Sequence, residues 1–453
     1  MSQTPSTSEP DRQWPRSLRA FRHRNYRLFF AGQLVSLVGT WMQSVAQSWL
    51  VYRLATEHPD GDQSAAALLG LVGFCGQLPV FLLAALGGIA ADRFSRRRLI
   101  IATQSASMLL AFILAGLQLA GVAQIWHVFV LATLLGIANA FDIPARQAFV
   151  VDLVGKADIV NAVALNSTMF NGARVIGPAV AGVLVATIGE GWCFLLNGVS
   201  YIAVIIGLLN INVHRHLDVA LPGAPAGGVI AGFAYAWNTR PVRALLFLLG
   251  LMSLLGVPYI VLLPILTSER FLNGGASGYG ILMCAAGIGA TLGAVSLAMR
   301  EGVRGLGRWV MFAAAGFGVG LIVFSLSRSF WLSAVLLIPV GYCMMVTMAS
   351  ANTLVQSLVP DHLRGRVMAV YSMMFMGMAP FGALLAGVLA EWLDVPGTIA
   401  VGGVACILGS LIFGWRLPLL RQEAREIIVA LQAAAGQPAE ATSGEGTTVA
   451  QIR

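Results

Sequence analysis

Charge is scarce in this chain. Only 11% of its 453 residues are Asp, Glu, Lys or Arg, against about 25% in an ordinary soluble protein. So little polar surface cannot cover a soluble fold of this length, which excludes a cytosolic enzyme. A disordered chain, which must be polar, is excluded as well. Cysteine is also sparse: Cys75, Cys193, Cys284, Cys343 and Cys406 all sit in or beside apolar segments. None forms a Cys-x-x-Cys pair, so no disulfide scaffold, redox pair or metal centre is expected. They read as small packing residues. The chain has no His-rich tail, no His-Glu-x-x-His and no Gly-x-Ser-x-Gly elbow. A membrane-embedded enzyme therefore has no visible machinery, and no cofactor is expected. No cleavable signal peptide is visible in the polar stretch from Met1 to Asp11.

Apolar sequence is abundant. Hydrophobic residues make up 57% of the chain, and the mean hydropathy is +0.79. One helical span needs about 20 apolar residues. Reading apolar runs against turn signals predicts twelve: 26–52, 66–90, 99–120, 126–148, 162–188, 192–211, 242–267, 277–298, 309–326, 330–352, 366–392 and 397–415. The expected fold is an all-α polytopic membrane protein with both termini on one side.

The positive-inside rule identifies that side. Of the 28 Lys and Arg residues, Arg53, Arg270 and Arg328 fall opposite the N-terminus, and Arg174 falls inside the fifth span. All the rest lie on the N-terminal side, so both termini are expected in the cytoplasm. The net charge of +8 is then a topology signal and a hold on anionic lipid headgroups, with no nucleic acid implied.

Residues 1–25 form a basic N-terminus. Six spans over 26–211 and six over 242–417 flank a linker, 212–241. Pro222, Gly223, Pro225, Gly227 and Gly228 predict a flexible break in that linker, and a short surface helix is expected at Val229–Trp237. The tail, 418–453, holds a short amphipathic piece at Ile427–Leu431, and its Gly/Ser/Thr/Glu end is expected to be disordered. The two halves repeat each other at a constant offset of 205. Ser167, Met169, Phe170 and Gly172 meet Ser372, Met374, Phe375 and Gly377. Gly177, Ala181 and Gly182 meet Gly382, Ala386 and Gly387. Two parallel six-span halves are one architecture of secondary transporters.

The loop after the second span reads Gly88-Ile-Ala-Ala-Asp92-Arg93-Phe-Ser95-Arg96-Arg97-Arg98. It resembles the signature loop of the major facilitator superfamily, Gly-x-x-x-Asp-Arg-x-Gly-Arg-Arg/Lys, with Ser95 at the second glycine. The resemblance implies a conformational latch. Gly88 would admit a neighbouring helix, and Asp92 would sit against the positive N-terminal end of the eleventh span. Arg96 or Arg97 would pair with an acid at the cytoplasmic end of the fourth span, either Asp142 or Asp152. The fifth span, Ala173-Arg174-Val-Ile-Gly177-Pro178-Ala-Val-Ala181-Gly182, resembles an exporter motif of the superfamily, with Ala173 and Ala181 at two glycine positions. Residues 173, 177 and 181 form a small-residue stripe for tight helix contact. Arg24-Asn25-Tyr26-Arg27, Gly39-Thr40-Trp41-Met42-Gln43 and Asn139-Ala-Phe-Asp142-Ile-Pro144-Ala-Arg146-Gln147 narrow the resemblance. They are similar to the branch of enterobactin exporters, macrolide efflux proteins and transmembrane secretion effectors. That resemblance implies an inner-membrane, monomeric exporter of amphipathic small molecules such as a siderophore, drug or metabolite. A lipid transporter of the same fold is the alternative.

Arg174 is the most informative single residue, because an arginine inside a span costs at least about 2.5–3.5 kcal/mol on insertion scales. It must face the bundle interior. Three roles are open to it: holding an anionic or carbonyl-bearing substrate group, pairing with a buried acid, or tying backbone carbonyls. Gln43, Gln47, Asn139 and Asn171 are candidates to line a cavity with it. Asp142 is the carboxylate lying within a span away from its outer end. It is either the titrating group of proton-coupled transport or a latch partner. The fourth-span arginine of proton-coupled exporters has Ala132 in its place. Eight of the 16 methionines fall between Met344 and Met378, giving a soft surface suited to varied apolar ligands, or plain packing.

Overall fold

The computed structural model describes residues 15–57, 64–211, 228–270, 274–300, 302–303 and 305–434. Among these, eleven helices are long and apolar enough to cross a membrane. They are α1 (Arg24–Glu57), α2 (Ala65–Arg93), α3 (Arg96–Leu119), α4 (Ile125–Gly155), α5 (Ala157–Ile188), α6 (Glu190–Leu209), α8 (Arg240–Glu269), α9 (Gly275–Ala298), α10 (Leu306–Leu326), α11 (Phe330–Ser357) and the run Asp361–Leu431. That last run breaks at Asp394, where φ is 63°. It is therefore two spans, α12 (361–393) and α13 (395–434). Asp is among the few residues tolerated at positive φ, and here its Oδ1 accepts from Gly397 N–H at 2.6 Å, capping α13. Gly155, with φ of 69°, makes the corresponding bend between α4 and α5. The twelve expected spans are all present.

The linker helix α7 (Gly228–Asn238) occupies the stretch expected as a surface helix. The break at Pro222–Gly227 lies outside the described residues, as do 1–14 and 435–453. One expectation changes. The tail does not begin as a separate piece after residue 417, because α13 continues to Ala434. Ala424, Ile427 and Ile428 pack on the main apolar cluster, and Glu423 pairs with Arg240 at 2.9 Å. The amphipathic pattern at Ile427–Leu431 is the end of this docked helix.

The internal repeat appears as equivalent helix crossings. A methyl at Gly177 would strike Trp41 and the Val38 carbonyl of α1, and one at Gly382 would strike the Ser253 and Leu254 carbonyls of α8. Gly182 meets Gly280 of α9, and Gly387 meets the Ala66 carbonyl of α2. Each glycine thus lets one backbone lie against another, first within its own half and then across to the other. The two cross-bundle contacts, α5 on α9 and α2 on α12, lie in the halves of these helices far from the basic ends. Ser64 Oγ also donates to Glu391 Oε1 at 2.7 Å there. Toward the basic side, Leu82, Leu86 and Ile89 of α2 and Val160 and Val163 of α5 are exposed.

Two spans of the second half are discontinuous. In α8 the residues Met252–Gly256 form a π-turn. In α12 the helix Asp361–Phe375 is interrupted at 376–378 before restarting at Ala379. Pro380 supplies no N–H there, and Ser253 Oγ donates to the Phe375 carbonyl at 2.5 Å. A side chain of one broken helix thus satisfies a backbone group of the other, as apolar surroundings demand.

Candidate functional site

Three groups of polar side chains stand out within or beside the spans. The first centres on Arg174. Gly177 brings α5 hard against α1 at Trp41, one turn from Arg174. The guanidinium carbon consequently lies 5.7 Å from the centre of the Trp41 ring, within cation–π range. Gly287 of α9 packs on the Arg174 backbone carbonyl, so the second bundle reaches the same point. Tyr259 of α8 comes within electrostatic reach of the charge. Its hydroxyl is buried and has no hydrogen-bond partner among the described residues. No carboxylate among the described residues pairs with Arg174. A cation of α5 and an indole of α1 therefore meet where α9 of the second bundle packs on the Arg174 backbone, and no carboxylate among the described residues neutralises the charge.

Of the residues expected beside Arg174, Asn171 is buried, and its Nδ2 donates to the Ser167 carbonyl of its own helix at 2.8 Å. Gln43 is buried. Its Oε1 accepts from Asn197 Nδ2 at 2.6 Å inside the first bundle. Gln47 and Asn139 are half-buried. The stripe Ala173, Gly177 and Ala181 is buried, with Gly177 on α1 and Pro178 and Gly182 against Gly280 of α9.

The second group is a buried network in the first bundle. Asp142 is 2% exposed. Its Oδ2 pairs with Arg146 at 2.7 Å. Its Oδ1 accepts from Thr103 Oγ1 and Gln104 Nε2, each at 2.9 Å. Arg146 also donates to Gln33 Oε1 at 3.0 Å. Gln33 Nε2 and Gln104 Oε1 are left without partners among the described residues. The i,i+4 spacing of Asp142 and Arg146 made their pairing visible in sequence. The contributions of Thr103, Gln104 and Gln33 were not visible.

The third group is the loop between α2 and α3. Arg96 pairs with Asp152 at 2.7 Å and lies 3.9 Å from Asp92. Of the two acids expected as partners, the loop takes Asp152, because Asp142 is held by Arg146. Arg97 instead donates to the Leu208 and Leu209 carbonyls at 2.7 and 2.9 Å, neutralising the C-terminal end of α6. Arg93 ends α2. The Asp92 side chain is 80% exposed, not seated on α12. Gly88 faces open space, and the glycine at close approach is its neighbour Gly87, where a methyl would strike the Ala140 carbonyl of α4.

Sequence reading missed a basic-side strap. The 3-10 turn Arg16–Arg22 and His23 fold back on Asp158 at the start of α5. Arg22 and His23 approach its carboxylate to 2.8 and 2.9 Å. Asn161 Oδ1 accepts from Ala20 N–H at 2.8 Å, and the Tyr26 hydroxyl reaches the Ala162 carbonyl. Among the described residues no cluster of three His, Cys, Asp or Glu side chains is placed for a metal ion.

Known proteins share this architecture. The chain is 29% identical over 392 residues to a staphyloferrin A transporter of Staphylococcus aureus, covering 85% of this chain and 95% of that one. It is 26% identical over 412 residues to the multidrug efflux pump Tap of Mycolicibacterium fortuitum, covering 87% and 96%. The crystal structure of the nucleoside transporter NupG superposes with a TM-score of 0.69 at 13% identity, covering 87% of this chain and 99% of that one. That likeness shows the fold. The model of the transmembrane secretion effector family matches residues 16–444. Twelve spans in two repeated bundles, the Asp92 loop and this match together mean that the chain belongs to the transmembrane secretion effector family of major facilitator transporters.

Proposed function

We propose that this protein exports an amphipathic small molecule bearing a carboxylate or similar anionic group, by alternating access between the two bundles. The observation that carries this reading is Arg174. It is a cation inside a span with no acidic partner among the described residues, placed where both bundles meet. An arginine inside a span costs at least about 2.5–3.5 kcal/mol on insertion scales, and an anionic substrate group offsets part of that cost when bound. Trp41 supplies aromatic surface for its apolar part. The named cargoes of the relatives, a siderophore and drugs, support the class and not a particular compound.

In this reading the basic side is cytoplasmic, both termini lie there, and the single chain is the working unit in the cell membrane. The conformer described is the one open to the cytoplasm. Its cross-bundle glycine contacts close the far side, and Asp92 stands free of α12. Rocking the bundles opens those contacts and carries Asp92 to the N-terminal end of α12, with Arg96 and Asp152 holding the loop in shape. Asp142 is the proton-exchanging group. Protonating it releases Arg146 and Gln33, so proton entry and bundle movement share one network.

The test is an efflux screen of organic acids and drugs in a multidrug-sensitive host, with and without a proton uncoupler. The reading expects efflux of at least one amphipathic acid, abolished by the uncoupler. Accumulation unchanged by expression across the panel, or efflux confined to lysophospholipids, would replace it.

A further inference from the structure

We propose that the crevice under the linker helix α7 is a binding site for one anionic phospholipid of the leaflet on the basic side. At 11 residues, α7 is too short to span a bilayer, and it sits where α8 begins. Ile230, Phe233 and Trp237 occupy one face at i, i+3 and i+7 and are exposed. The opposite face is tied to protein. Gly232 lies against the Arg366 backbone of α12, and the Tyr235 hydroxyl donates to the Leu358 carbonyl at 2.7 Å. The helix is thus tied to protein on one face and leaves its aromatic rings exposed beside the basic ends of the spans, where rings at headgroup depth are favoured.

The crevice opens between Phe233 and Trp237 of α7, Phe247 of α8, and Val370 and Met374 of α12. Its walls are apolar, and Arg243 is the charged member of its lining. The Arg243 guanidinium lies 5.6 Å from the Trp237 ring and donates one N–H to the Trp237 carbonyl at 2.9 Å. Of five guanidinium donors, most remain for another acceptor. Two of the neighbouring cations are engaged, Arg240 with Glu423 at 2.9 Å and Arg364 with Asp361 at 2.6 Å. No carboxylate among the described residues pairs with Arg243. An apolar slot beside an unneutralised guanidinium, at the surface of a leaflet that attracts basic segments, matches an acyl chain beneath a phosphate. A free anion would use the arginine and leave the slot empty.

The experiment is native mass spectrometry of the purified full chain, titrated with phosphatidylglycerol or phosphatidylcholine of the same acyl chains. The first lipid bound is expected to be phosphatidylglycerol in preference to phosphatidylcholine. Arg243→Gln is expected to weaken that first phosphatidylglycerol about fivefold, the factor that about 1 kcal/mol per basic residue gives. Arg243→Lys is expected to retain it. Met374→Trp fills the slot without touching the charge and is expected to weaken both lipids. Millimolar inorganic phosphate is expected to displace neither lipid. Equal binding of the two lipids by the unaltered chain, an undiminished preference in Arg243→Gln, or unchanged binding in Met374→Trp would overturn the site. Displacement by phosphate would make it a free-anion site instead.

Discussion

Asp142 and Asp152 lie on one helix, yet their surroundings assign them different energetic weight. Asp142 is buried and neutralised by Arg146. Removing one partner of such a pair strands the other charge and costs about 3–5 kcal/mol when both are buried, less here because Arg146 is 25% exposed. The Asp152–Arg96 pair is 31% exposed on each side, where ion pairs are worth about 0.2–1 kcal/mol. Asp142→Asn is therefore expected to lower the melting temperature of the detergent-solubilised protein clearly, and Asp152→Asn hardly at all. The reverse order in a thermal-shift assay would refute this account of the two acids. Arg174→Gln removes a charge with no acidic partner among the described residues, so its melting temperature is expected to stay level or rise. A marked fall would point to a structural tie. The residues themselves were mostly legible in sequence, since a charge inside an apolar run is conspicuous. Their partners were not. Tyr259 lies 85 positions from Arg174 in the chain, and no local pattern links them.

Element boundaries followed the apolar runs closely, because a span must satisfy its own backbone and its length is set by the bilayer. The departures occur where tertiary contacts take over. The π-turn at Met252–Gly256 and the gap at 376–378 are linked through Ser253, a contact that no local pattern marks. The strap on Asp158 joins residues 135 apart, beyond any periodicity. Asp158→Asn removes the negative charge that draws in Arg19, Arg22 and His23, so tryptic cleavage at Arg19 and Arg22 is expected to accelerate with the spans still intact. Unchanged cleavage would mean that the Asn161 and Tyr26 contacts suffice. At the cross-bundle contact, a Gly280→Val side chain would collide with Gly182 and the Pro178 carbonyl. In a variant whose five cysteines are alanine, a cysteine at Ser277 is expected to label faster from the far side when Gly280 is valine. Equal labelling would show that this contact does not hold the far side shut.

At the scale of the whole molecule, the 205-residue repeat carried the most information. It predicted two halves, and the structure turns its shared glycines into matched crossings within and between them. Composition and charge asymmetry gave the class and the expected orientation. The way the halves meet was not legible, because it is a property of surfaces and not of any run of residues. That meeting place is where Arg174 and Trp41 come together against α9. The central claim is that this junction recognises the anionic group of an exported molecule. The most direct measurement is uptake into sealed inside-out vesicles of an amphipathic carboxylic acid and its primary amide, by the unaltered protein and by Arg174→Gln. A hydrogen-bonded charge contributes about 1.5–3 kcal/mol, so the unaltered protein is expected to favour the acid by roughly tenfold or more, and the variant to lose that preference. A variant that keeps the full preference for the acid would contradict the account.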